Sequence, residues 1–257
     1  MPDRRRHRGP HPRDTDQFSA AQLPELRRAA GDLAWLLSRA YPVKAAVKLV
    51  GDRYALRVRQ RSAIQRATVG DALREARQAR RVGPDAVAGE PLLVDGYNVL
   101  LTVESALGGG IVLACRDGAY RDMASMAGHY KRVEQTRSAL RLLGAFLAAA
   151  GCSEVRWYLD RPISNSGRLR ALMEDVAAEH AWPWVVELVA SPDRELAASD
   201  ELVASADGWI LDQGGGWLNL AREVVDRDVR EAWVVDLFPS DLSDLSGRPL
   251  DLDRPLL

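Results

Sequence analysis

With 257 residues, 47% of them apolar and 28% charged, the chain has the bulk for one large or two modest domains and an ordinary globular composition. The net charge of -1 hides a division, because residues 1–90 carry 19 Lys and Arg against 10 Asp and Glu while the remainder carries 16 against 26. Two cysteines at no metal-ligand spacing exclude a disulfide framework and a zinc site, no apolar run reaches the ~18 residues of a membrane span, and no signal-peptide core follows the basic start, so a reducing cytoplasmic setting is expected.

Residues 1–18 read as a disordered basic tail. It holds His7 and His11, two of the four histidines, which argues against a histidine-based metal site. A small basic α+β domain is expected over 19–82. Its first helix, from about Ala21 to Ala40, carries Leu26, Ala30, Leu33, Leu37 and Ala40 on one stripe and stops at Tyr41-Pro42. Gly51-Asp52 between alternating segments predicts a β-hairpin over 47–59, with Tyr54, Leu56 and Val58 on one side. Arg53, Arg57 and Arg59 would then share the other side, extended by Arg61 and Arg66 into a helix over 63–81. Residues 83–90 read as a linker.

The second domain is expected over 91–238. Strands are predicted at 92–95, 111–114, 155–159, 184–189, just before Asp207, and at 233–238. Helices are predicted at 133–150, 168–180 and 218–225. That alternation implies a parallel, three-layer α/β sheet. Residues 239–257 read as a loosely ordered acidic tail.

Three apolar runs end in an acid: Leu92–Asp95, Val155–Asp160 and Leu202–Asp207. Open α/β sheets build their sites at the carboxyl ends of strands, and clustered carboxylates repel unless a cation lies between them. Oxygen ligands without paired cysteines suit Mg2+ or Mn2+, which polarise phosphodiesters and activate water. Asp95, Asp160 and Asp207 are the expected ligands, with Asp193 and Asn98 beside them. Ser164, Ser166, Ser205, Glu104 and Glu134 are weaker candidates for orienting groups or phosphate contacts. For any single strand-end aspartate, helix capping or turn formation is the commoner role.

The Asp95-Gly96-Tyr97-Asn98 element and Ser205-Ala206-Asp207 resemble the PIN-like nucleases, especially the NYN branch. The whole chain resembles a family known as domain of unknown function 434. The resemblance implies a parallel sheet of order 3-2-1-4-5, a divalent-metal site of three or four acids, and ribonuclease-type hydrolysis. RNA would be held by Arg53, Arg57, Arg59, Arg61 and Arg66. A non-catalytic RNA-binding scaffold and a small-molecule phosphohydrolase are the alternatives. A phosphoaspartate mechanism lacks its Asp-x-Asp pair, and Gly108-Gly109-Gly110 does not link strand to helix as a dinucleotide fingerprint does.

Overall fold

The computed structural model describes residues 8–124 and 130–239. The chain enters through helices α1 (Asp14–Gln17), α2 (Leu23–Leu37), α3 (Val43–Arg53), α4 (Val58–Ala67) and α5 (Asp71–Arg80). The expected hairpin over 47–59 is therefore corrected to two helices. Ala46, Val47, Val50 and Gly51 are the buried residues of α3, a helical spacing. Gly51 is not a turn residue: a Cβ there would stand 2.6 Å from the Arg61 guanidinium, so the glycine leaves room for a side chain arriving from α4. The helix expected over 63–81 is likewise two, interrupted at Thr68–Gly70. The front of the chain is helical through Arg80 rather than α+β.

The predicted tail is ordered from residue 8 onward, with Phe18 buried, while residues 1–7 lie outside the described residues. The linker expected over 83–90 follows β1 (Arg81–Val82) and contains a 3-10 turn at Pro84–Val87 whose Val87 is fully buried. Next come β2 (Pro91–Asp95), α6 (Gly96–Leu107), β3 (Ile111–Ala114), β4 (Tyr120–Asp122), α7 (Thr136–Ala150) and β5 (Glu154–Asp160). They are followed by α8 (Ser166–His180), β6 (Trp184–Val189), α9 (Pro192–Ala197), β7 (Leu202–Ala204) and α10 (Gly208–Gln213). The described chain closes with β8 (Trp217–Leu218), α11 (Leu220–Asp228) and β9 (Trp233–Asp236). The expected acidic tail lies, after Pro239, outside the described residues.

Six strands form a wholly parallel sheet in the order β1-β8-β7-β2-β5-β6. Without the two-residue edge strand β1, the other five run 3-2-1-4-5 in order of sequence. The fifth is β8, where a helix was expected to begin, and not the strand at 233–238. Leu92, Val94, Val155 and Trp157 bury into one core with α6, α7, α8 and α11. Leu93 and Val203, of opposite parity, face Leu196 of α9 and Ile210 of α10. Helices thus cover both faces.

A second sheet, β4-β3-β9, pairs β3 antiparallel to β4 and parallel to β9. Its Ile111, Leu113 and Val235 share a core with Leu26, Leu33, Val50 and Ile64 of the front helices. The basic front and the acidic back are therefore joined by buried apolar surface. No helix among the described residues is long and apolar enough to cross a membrane.

Candidate functional site

β2 lies between β7 and β5, so its carboxyl end is the middle of the sheet edge. Asp95 ends β2, opposite Tyr158, and β5 runs on to Asp160. Asp207 closes the loop after β7, and Asp193 lies in the first turn of α9. Gly96 serves clearance: a Cβ there would lie 2.6 Å from the Leu159 side chain and 2.8 Å from the Tyr158 carbonyl oxygen. It lets α6 start hard against β5.

Two of the aspartates also cap helices. Asp95 Oδ1 accepts from the Asn98 backbone N–H of α6 at 3.4 Å, and Asp207 Oδ1 accepts from the Trp209 and Ile210 N–H groups of α10 at 2.8 and 3.4 Å. Capping and convergence coexist because each helix starts where its strand ends. Ser205 Oγ donates to Asp95 Oδ2 at 2.8 Å and accepts from the Asp207 N–H at 3.0 Å. Asn98 Oδ1 accepts from the Ala206 N–H at 2.9 Å. Ser205 and Asn98 thereby stitch the β7 loop to the head of α6.

The electrostatics record the crowding of like charge. Burial, with the negative charges of Asp207 and Asp193, pushes Asp95 up to about 7 against the Ser205 and Asn98 hydrogen bonds. Burial and the Asp193 charge raise Asp160, and burial and the Asp207 charge raise Asp193. Asp193 is thus coupled to all three other acids. Burial and the Asp160 charge also push the Tyr97 hydroxyl up to about 12.

Among the described residues, no three His, Cys, Asp or Glu side chains stand close enough to hold one metal ion. The donor chemistry does fit a hard divalent cation, since Mg2+ is ordinarily held by one or two carboxylates with water and substrate phosphate completing its shell. A cation between Asp95 and Asp207, with Asp160 and Asp193 nearby, would relieve the repulsion that raises these acids.

The weaker candidates fall elsewhere, except Ser205. Glu104 is fully buried and accepts from the Tyr130 hydroxyl at 2.6 Å, the Thr136 hydroxyl at 2.5 Å and the Arg8 guanidinium. The glycines at 108 and 110 suit this clasp, because Cβ atoms there would lie 3.0 and 2.6 Å from the Arg8 backbone. Glu134 is exposed ahead of α7. Ser166, first residue of α8, donates to the Arg161 carbonyl oxygen at 3.4 Å, and Ser164 is exposed. Four of the five arginines have intramolecular partners. Arg53 lies 3.8 Å from Asp32, Arg59 clasps Asp14, Arg61 holds Asp52 at 2.8 Å, and Arg66 donates to the Asp122 carbonyl oxygen at 2.8 Å. Arg57 is exposed at the start of α4.

Sequence reasoning missed the frame around Asp207. Arg77 of α5 donates to the Gly208 carbonyl oxygen at 3.0 Å, and Arg121 of β4 donates to that of Ala206 at 2.6 Å. Both guanidiniums meet the fully buried Asp117, at 2.7 and 2.6 Å, so one buried ion network grips the backbone on both sides of Asp207. Asp122 was missed too. It is a buried acid, raised by burial, and accepts from the Thr102 hydroxyl at 3.5 Å. It lines a cleft of about 800 Å3 together with Asn98, Asp207, Arg66 and the half-exposed Tyr41. Trp209, beside Asp207, is 50% exposed. Runs of apolar residues signal none of these, since each arises where distant segments meet.

The fold and site define an α/β protein with acids gathered at the carboxyl edge of a parallel sheet and a helical front unit packed onto it. The chain belongs to the family described as Domain of unknown function (DUF5616), which matches residues 84–223. Residues 25–80 match the family described as Protein of unknown function (DUF434). The uncharacterized protein MJ0935 of Methanocaldococcus jannaschii is 28% identical over 186 residues, covering 72% of this chain and 88% of its own length. No solved structure matches the chain.

Proposed function

We propose that this protein is a divalent-metal-dependent ribonuclease with a PIN-like, NYN-type domain, cutting RNA at the Asp95, Asp160, Asp193 and Asp207 cluster. One observation carries the reading: four acids share the carboxyl edge of the sheet, Asp95 ending β2, Asp160 ending β5, Asp207 after β7 and Asp193 in the first turn of α9, and burial with neighbouring carboxylate charge raises three of them. Acids that repel at a sheet's carboxyl edge are the expected signature of a site completed by a cation. The 3-2-1-4-5 run of five parallel strands agrees with the PIN-like resemblance.

A divalent ion bound there supplies Lewis-acid polarisation of the scissile phosphate and lowers the pKa of an attacking water. The chain's own residues do the positioning. Ser205 holds the Asp95 carboxylate in one orientation, Asn98 fixes the backbone ahead of Asp207, and Asp207 itself lines the cleft. Arg66 and Tyr41 border the same space, which suits an extended polynucleotide better than a closed small-molecule pocket.

A non-catalytic RNA-binding protein is the second reading, favoured by the lack of a three-ligand group among the described residues. The deciding experiment is manganese-dependent cleavage of a pool of single-stranded and structured RNA by wild type and Asp95→Asn. Cleavage by wild type alone upholds the nuclease. RNA binding without cleavage by either protein upholds the second reading. Hydrolysis of a small phosphodiester, with RNA ignored, points to the phosphohydrolase.

A further inference from the structure

A second cleft, of about 490 Å3, lies on the other flank of the acids. Its walls are Tyr130, Lys131 and Arg132 ahead of α7, and Asn165, Arg168 and Leu169 at the head of α8. Asn165 Nδ2 donates to the Tyr130 carbonyl oxygen at 3.0 Å and joins the walls. Asp160 closes β5 only a short loop before Asn165. Tyr97, which feels the Asp160 charge, packs its ring 5.3 Å from that of Tyr130.

The order along the sheet edge is therefore first cleft with Asp207, then Asp95, then Asp160 with the second cleft, following β7, β2 and β5. The two clefts differ in the state of their cations. In the first, Arg77 pairs with Asp117 and Asp212, Arg121 pairs with Asp117, and Arg66 is tied to backbone carbonyls of Asp122 and Ala124. In the second, Arg132 and Arg168 line the walls with one acid, Asp175. Arg132 and Arg168 are exposed and form no ion pair among the described residues; Arg168 reaches only Asn165 Oδ1, at 3.5 Å. The N-terminus of α8 opens on the same side, and its cap residue Asn165 turns its side chain away to Tyr130, with no cap hydrogen bond.

We propose that the second cleft is a phosphate-binding subsite for a single-stranded polynucleotide that runs along the sheet edge, held by Arg132 and Arg168 beyond Asp160. The placement of the cut rests on the nuclease reading; the binding does not. It also moves the main nucleic-acid contact from the α3–α4 arginines to Arg132 and Arg168.

The test is binding of a short labelled single-stranded RNA, followed by fluorescence anisotropy across a salt series with divalent ions chelated. Arg168→Glu and Arg132→Glu should each weaken binding on the order of tenfold at low salt and flatten the logarithmic salt slope by about 1. Arg168→Gln should do the same more weakly, and Arg57→Glu should leave both nearly unchanged. Circular dichroism checks folding, which exposed positions should not disturb. Wild-type affinity and slope in Arg168→Glu and Arg132→Glu, or loss only in Arg57→Glu, overturns the subsite, as does failure of wild type to bind. Equal binding of a single-stranded DNA of the same sequence assigns the cleft to the shared phosphodiester backbone; preference for RNA adds the 2′-hydroxyl. A protein that binds through Arg168 and never cuts upholds this subsite while sinking the nuclease.

Discussion

Two groups of buried acid sit within one fold and have opposite fates. Asp117 is fully buried, yet although burial pushes its carboxyl up, the Arg121 and Arg77 guanidiniums hold it down at about 2. Asp95, nearly as buried, is pushed up to about 7 by that burial, and its charged neighbours, other aspartates, add to the rise instead of opposing it. The matched acid joins α5, β4 and the head of α10. The unmatched acid faces the site. Where this chain needs rigidity it supplies both signs of charge, and where the proposed chemistry lies it leaves one sign wanting.

Breaking the matched group should have the largest effect. Asp117→Ala leaves Arg77 and Arg121 buried without their shared partner, at a cost of about 3–5 kcal/mol. The melting temperature should fall on the order of 10 °C for a chain of this size. The two arginines also grip the carbonyls flanking Asp207, so any metal-dependent activity should fall even at temperatures where the variant is folded. A calorimetric scan beside an activity assay checks both. An unshifted midpoint would mean that the network is not what docks α5 on the sheet edge.

Relieving the unmatched group should act in the opposite direction. The folded protein keeps the Asp95 proton until about pH 7, while the ordinary carboxyl value is 3.8. Between those values the folded state binds more protons than the unfolded chain, so wild-type stability declines as pH rises. Asp95→Asn cannot titrate. It should exceed wild type by on the order of 2 kcal/mol above pH 7, with the gap closing below about pH 4. Asp117, depressed to about 2, contributes its stability above pH 3.8 and loses it as pH falls toward 2. Urea titrations at several pH values separate the two signs. A variant less stable than wild type at high pH would show that Asp95 is structurally matched after all.

Glu104 sharpens the comparison, because the sequence placed it among the candidate acids while the fold gives it three donors. Glu104→Gln retains the shape, but its amide group must turn an N–H toward a donor. A loss of about 1–2 kcal/mol is expected in urea titrations.

The unmatched acids were the part of the site most legible in the sequence. Asp95, Asp160 and Asp207 each end an apolar run, and buried parallel strands advertise themselves locally. The parallel layered sheet is likewise carried by alternation of strand and helix, whereas the order of its five strands came only with the PIN-like resemblance. What failed depended on distant segments. Gly51-Asp52 has the composition of a turn, but its glycine answers to Arg61, and α6 was hidden because Asp95-Gly96 reads equally as a turn or as a helix start. The matched network was illegible because Arg77, Asp117 and Arg121 come from an arginine-rich helix and a turn that sequence alone does not bring together. An extended segment would align the arginines of α3 and α4 on one side, whereas in the helices most of them find intramolecular partners.

The smallest effect is the one that asks whether the unmatched group wants a cation. A ligand at ten times its dissociation constant stabilises the folded state by about 1.4 kcal/mol, a shift of only a few degrees. Mg2+ or Mn2+ should raise the wild-type midpoint by that much at about pH 8 and by less at about pH 5, where a proton competes for Asp95. Asp95→Asn should lose the response while starting from a higher midpoint, whereas Glu104→Gln should keep it while starting from a lower one. That crossing cannot arise from general ionic strength, which would move all three proteins alike. Parallel shifts in wild type and Asp95→Asn would instead place the ion away from the sheet edge, and the four aspartates would then be left with capping and repulsion as their only roles.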